Sequence, residues 1–112
     1  MTDQEKELVQ LAALAADIEC LGELGWRLPC GQTLAWWNPL EDDGDAFRLL
    51  SYLRLNLKVT TTPSSVFVNC YNDFTSSSEW LYIEGRNITN TNASYRKVIV
   101  NTASKIGKKY EH

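Results

Sequence analysis

Trp36-Trp37-Asn38-Pro39-Leu40-Glu41-Asp42-Asp43-Gly44-Asp45-Ala46-Phe47-Arg48-Leu49-Leu50-Ser51-Tyr52-Leu53-Arg54-Leu55 carries the strongest local signals in the chain, and the rest is expected to be organised around it. Pro39 has no amide proton to give to a strand ladder and biases Asn38 away from helix. A strand arriving through Trp36 should therefore stop here, with a helix starting a few residues later. Asp42 or Asp43 is the natural N-cap, and Asp42, Asp43 and Asp45 together oppose the positive end of the helix dipole. Ala46, Leu49, Leu50 and Leu53 then fall at i, i+3, i+4 and i+7, the apolar stripe of a helix with one buried face.

Upstream, Thr2-Asp3-Gln4-Glu5 has the spacing of a capping box. Leu8, Leu11, Ala12 and Ala15 recur on one helical face beyond it, predicting a first helix from about Asp3 to Ala16 that ends near Asp17. Ile18 and Cys20 are read as the beginning of a strand, and Leu21 to Gly25 as a turn. Pro29 to Gln32 reads as a hairpin connection between Trp26-Arg27-Leu28 and Thr33-Leu34-Ala35-Trp36.

Downstream, the period changes from 3.6 to 2 near Arg54. Leu55, Leu57 and Val59 alternate with Asn56 and Lys58, and Val66, Val68 and Cys70 alternate with Phe67, Asn69 and Tyr71. Trp80 to Ile83 supplies a third strand. The turns at Thr60 to Ser65 and Asn72 to Ser78 are too short for crossovers, so these strands form an antiparallel meander. Asn90, Thr91 and Asn92 are candidate N-caps for a last helix whose apolar face holds Tyr95, Val98, Ile99, Thr102 and Ile106. Lys97, Asn101, Lys105 and Lys108 lie on its other side, and Gly107 is the expected residue just past its end. The fold class is α+β: a mainly antiparallel sheet packed with three helices, in the manner of an α-β-α sandwich.

The string Asn38 to Ala46, followed by Arg48-Leu49 and Leu53-Arg54-Leu55, resembles the motif of small phage and prophage proteins of the phage α-β-α sandwich domain family. The closing Tyr95-Arg96-Lys97-Val98-Ile99-Val100 run, ending at Lys105-Ile106-Gly107, is similar too. With the first helix, the resemblance covers most of the chain, departing in the Ser- and Thr-rich segment from Thr60 to Ser78. It implies a phage origin and a fold, and it brings no activity, substrate or catalytic residue with it.

At 112 residues, 44% hydrophobic and 22% charged, the chain is read as one globular domain, residues 1–112. No segment approaches the ~20 apolar residues of a membrane span. The first residues lack the basic and apolar regions of a secretion signal, so a cytoplasmic protein is expected, in the host cell if phage-encoded. Three widely spaced cysteines, Cys20, Cys30 and Cys70, are read as buried thiols, since free cysteine behaves as a small hydrophobe. Asn87-Ile88-Thr89 and Asn92-Ala93-Ser94 match glycosylation sequons, which have no meaning without export.

The chemistry excluded is broader than the chemistry indicated. The single histidine is His112, so no internal imidazole is present to activate a serine or cysteine nucleophile. No Gly-rich phosphate loop or dinucleotide fingerprint occurs. Metal binding by Glu41, Asp42, Asp43 and Asp45 is set against helix capping, which already explains them. The expectation is a non-enzyme with no cofactor and no metal site.

The net charge of −3 divides into −7 over residues 1–50, ten acids against three bases, and +4 over residues 51–112, four acids against eight bases. Arg96, Lys97, Lys105, Lys108 and Lys109 raise a nucleic-acid reading. A sequence pI near 5.1 and the lack of a recognised motif favour a solvated helix face instead. What remains is surface recognition of a host or phage protein, with inhibition of a host defence system as one concrete version. A homo-oligomeric structural or virion-associated role is the rival. Trp37, Tyr71 and Trp80 are the candidate contact residues, each beside a predicted strand end or turn, and aromatic anchors are enriched at protein interfaces. The competing reading places all three in the core.

Overall fold

Thr2 opens the first helix as the sequence predicts: its hydroxyl accepts from the Glu5 amide at 3.1 Å while the Glu5 carboxylate accepts from the Thr2 amide at 3.1 Å. In the computed structural model, residues 2–61, 65–72, 78–84 and 88–110 are described, with side chains described for 2–60, 68–72 and 92–109. The expected turn residues 62–64 and 73–77, the polar connection at 85–87 and the carboxyl-terminal 111–112 lie outside the described residues.

The elements in order are α1 (Asp3–Ala15), β1 (Glu19–Cys20), a 3-10 turn (Gly22–Leu24), β2 (Trp26–Arg27), β3 (Thr33–Leu34), α2 (Asp43–Tyr52), β4 (Asn56–Thr61), β5 (Ser65–Tyr71), β6 (Ser78–Glu84) and α3 (Ile88–Tyr110). Two three-stranded antiparallel sheets result, ordered β1-β2-β3 and β4-β5-β6. The α+β class, the three helices and the antiparallel pairing all follow the sequence reading.

Helices α1 and α2 end by the same device. The Ile18 amide donates to the Ala13 carbonyl at 2.9 Å and the Asp17 amide to Leu14 at 3.3 Å. In α2, Leu55 donates to Leu50 at 2.9 Å and Arg54 to Ser51 at 3.2 Å. These are the paired bonds of a Schellman stop, which requires a left-handed residue just past the helix. Asp17 (φ 59°) and Arg54 (φ 50°) occupy that conformation without being glycine. Each is followed by a buried apolar residue, Ile18 or Leu55, that carries the chain into the next strand.

Helix α3 is the central layer. Val98, Ile99, Val100, Thr102, Ala103, Ser104, Ile106 and Gly107 are all buried, an arc too wide for a helix that meets only one neighbour. It packs on β5 and β6 on one side and on α1 and α2 on the other. The Thr102 hydroxyl lies 3.1 Å from the Cys70 carbonyl of β5 and 2.8 Å from the Val98 carbonyl of its own helix. Asn90, Thr91 and Asn92, expected as caps, fall inside α3, which begins at Ile88.

Gly107 is also corrected. It is a residue of the helix, and its missing side chain is where α1 crosses closest: a methyl group there would sit 1.9 Å from the Leu11 carbonyl oxygen. The buried stripe of α1 is accordingly Val9, Ala12, Ala13 and Ala16, rotated from the expected Leu8, Leu11, Ala12 and Ala15. Small residues face the approaching helix, while Leu8 and Leu11 flank the seam half-buried.

The cysteine expectation holds for Cys70 alone. Cys20, on the edge strand β1, and Cys30, in the β2–β3 turn, are exposed, and Cys70 is buried beneath α3 with its thiol pKa raised by burial.

Helix propensity alone favours Gly107→Ala by about 1 kcal/mol, but the backbone contact with Leu11 reverses the sign. We expect this substitution to destabilise the protein by about 1–3 kcal/mol, the range of overpacked cores. Urea unfolding measures it, and a stabilised variant would show that the α1–α3 crossing is wider.

Candidate interaction surface

Asn38 and Pro39 turn the chain from the small sheet into α2, and the turn is tied down from within. The Asn38 side-chain oxygen accepts from the Leu40 amide at 3.0 Å, and the Asn38 carbonyl accepts from Asp42 at 2.9 Å and Glu41 at 3.2 Å. Asp42 is the N-cap, its carboxylate accepting from the Asp45 amide at 2.8 Å. Asp43 lies one residue inside the helix and pairs with Arg96 of α3, whose Nε donates to the Leu40 carbonyl at 2.9 Å.

Asp45 lies in the first turn of α2, as the sequence predicts for an acid opposing the helix dipole, and it is in addition buried. It is 3% exposed, with one carboxylate oxygen accepting from the Asn38 amide at 2.9 Å and the other from Arg48 at 2.8 Å. Burial pushes its carboxyl above the usual carboxylate range; the Asn38 hydrogen bond opposes this, the nearby Asp42 charge adds to it, and Arg48 opposes it. The i, i+3 spacing of Asp45 and Arg48 was visible in the sequence, whereas the partner amide of Asn38, seven residues back, was not. The acidic cluster is thus built into the fold by capping, ion pairing and burial. Among the described residues, no group of three or more His, Cys, Asp or Glu side chains converges on a point that could hold a metal ion.

The three candidate contact residues separate. Trp37 is 2% exposed and packs against the Trp26 ring with centroids 5.3 Å apart at 54°. It is therefore a core residue and is corrected from the contact set. Its neighbour Trp36 is the exposed one, at 55%. Asn38 is tied to α2 through the Asp45 carboxylate, and Trp37 is buried beside it while Trp36 lies outside.

Tyr71 and Trp80 come to one face of the large sheet. The register pairs Tyr71 with Asn56 and Ser78, and Asn69 with Lys58 and Trp80. Directly opposed residues share a face, so Asn56, Lys58, Asn69, Tyr71 and Trp80 belong to one side, with Phe67 and Tyr82 at the neighbouring register positions. Val68 and Cys70, both 0% exposed, belong to the other side, where α3 packs. Among the described elements, α3 is the helix packed on this sheet. Tyr71 is half-buried, Lys58 exposed and Asn69 buried; the side chain of Trp80 lies outside the described residues.

The basic side of α3 faces α1. Lys97, Lys105 and Lys108 line a groove of about 430 Å³ together with Gln4, Glu7 and Leu8 of α1. The Glu5 carboxyl is lowered chiefly by its hydrogen bonds with Thr2, with a smaller pull from Lys97.

No protein-family model, curated protein or solved structure matches the chain.

Two measurements check the helix-start geometry. Asp42→Ala removes the cap and should cost about 0.5–2 kcal/mol in urea unfolding. Asp45→Asn tests the buried carboxyl through pH. Because the folded state holds this proton more tightly than the unfolded chain, its contribution to stability is full below the ordinary value of 3.8 and is lost as pH rises through the raised folded value. Asn does not titrate, so the variant should gain on wild type as pH rises across that window. A relative loss instead would mean that the two hydrogen bonds outweigh burial.

Proposed function

We propose that this is a phage- or prophage-encoded accessory protein that acts without catalysis, by binding a host or phage protein in the host cytoplasm. The observation that carries this reading is the outer face of the large sheet. Register places strand positions 71 and 80 on that side, with half-buried Tyr71 and exposed Lys58, opposite the side on which α3 packs. Aromatic residues flanked by polar ones are the composition of a recognition patch. The phage origin rests on the motif from Asn38 to Leu55, and blockade of a host defence protein by occupying its surface is the concrete version of the activity. Among the described residues no helix is long and apolar enough to cross a membrane. The rival reading, a homo-oligomeric structural protein, draws on a different feature, the open edge of β4.

Affinity capture from host lysate, with the captured protein identified and its binding then measured, tests the proposal. Tyr71→Ala or Lys58→Glu should weaken that binding at least tenfold while leaving the melting curve cooperative. Trp36→Ala, outside the strands of this sheet, should leave it unchanged. Binding indifferent to both sheet-face substitutions would overturn the assignment of the surface, and turnover of a nucleotide or sugar by the purified protein would overturn the non-enzymatic reading.

A further inference from the structure

Strand β4 is an edge. Over Asn56–Thr61 it pairs with β5 on one side, and among the described residues no strand pairs with it on the other. Alternate residues of such a strand point their amides and carbonyls outward, and these groups are satisfied either by water or by another strand. Edge strands in monomeric proteins are guarded by charge, proline or bulges. β4 carries a single such guard, Lys58, and no proline, whereas β6 at the opposite edge carries two, Glu79 and Glu84.

The side chains beside this edge are apolar and exposed. Leu57 is 37% exposed, Val59 42% and Phe47, on α2, 68%. Phe47 and Leu57 line one groove of about 180 Å³ with Leu50, Tyr95 and Ile99. Val59 continues the strip two residues along the same sheet face.

We propose that β4 is a self-association edge, at which two copies of this chain pair antiparallel to form a continuous six-stranded sheet. The occupant is specified by the strand itself. A two-fold axis perpendicular to the sheet keeps each face with its like, so odd residues must meet odd residues and even meet even. Two registers satisfy this near the strand centre. One sets Lys58 against the second copy's Lys58 and is opposed by like charge. The other centres on Val59, setting Val59 against Val59, Leu57 against Thr61 and Lys58 against Thr60. This second register leaves no like charges directly opposed, brings the two apolar strips together at the axis, and closes on itself because each copy uses the same edge. The inference does not depend on the partner-binding reading, since that surface is a face of the sheet and this one is its rim.

The test uses the full chain. Light scattering during size exclusion should give about twice the chain mass of 12.7 kDa at roughly 100 µM. Val59→Lys and Val59→Glu should each shift the protein to monomer, and mixing the two should restore a dimer containing one of each. Because Val59 is exposed, both should keep wild-type circular dichroism. In a background with Cys20→Ser and Cys30→Ser, Val59→Cys should cross-link to a disulfide dimer under mild oxidation, as directly opposed Cα atoms about 4.5–5.5 Å apart allow. Lys58→Cys, facing Thr60, should not. A wild-type monomer at 1 mM, or a dimer that survives both Val59 substitutions, would overturn the proposal. Efficient cross-linking through Lys58→Cys in place of Val59→Cys would overturn the register.

Discussion

The buried carboxylate of Asp45 is the constraint on which the rest of this fold depends. A carboxylate taken out of water is unfavourable unless its oxygens are occupied, and here one is held by the Asn38 amide and the other by Arg48. That pair of bonds fixes the angle at which the chain leaves the small sheet and enters α2. Trp37 and Pro39 lie in the interior beside this closed segment. A hydrophobic residue at position 45 could fill the space but could not take up the Asn38 amide, so the polar group is retained for geometry.

From that anchor the clamps on α2 follow in sequence. Its start is held by Arg96 of α3, through the Leu40 carbonyl and Asp43. Its end is held from β5, where the Asn72 side chain donates to the Leu53 carbonyl at 2.9 Å. A ten-residue helix is too short to be stable on its own. Its persistence therefore comes from tertiary packing of its buried face, Ala46 and Leu49, together with clamps 19 residues downstream at one end and 56 at the other. α3 supplies these restraints while itself being pressed between the sheet and α1, which explains why it tolerates a glycine one turn from its end.

Most of the architecture was legible because local signals and global packing agree here. Thr2 with Glu5, the period change at Arg54 and the alternation through Val66 to Tyr71 each have one strong local reading, and each is realised. What was not legible depends on residues distant in sequence. Gly107 has the local signature of a helix stop, and only the approach of Leu11 from the other end of the chain shows why a glycine stands there. Asp45 has the local signature of a dipole-opposing acid, and only its closure onto Asn38 makes it a buried residue. The two adjacent tryptophans could not be told apart by composition; the turn geometry buries Trp37 and exposes Trp36. Tyr71 and Trp80 sit on one face only through the pairing of β5 with β6, which places Trp80 across from Asn69 instead of from Tyr71 itself.

The charge asymmetry between the two halves of the sequence shows how folding alters what composition suggests. Read linearly, an acidic first half and a basic second half are compatible with a dipolar molecule or with a mixed surface. The chain does not fold half against half; α3, which holds most of the late basic residues, runs along α1 and crosses the start of α2, where many of the early acids lie. Asp43 meets Arg96, and Lys97, Lys105 and Lys108 share a groove with Glu7. Opposite charges separated by most of the chain become neighbours within a Debye length, so their fields largely cancel at a distance.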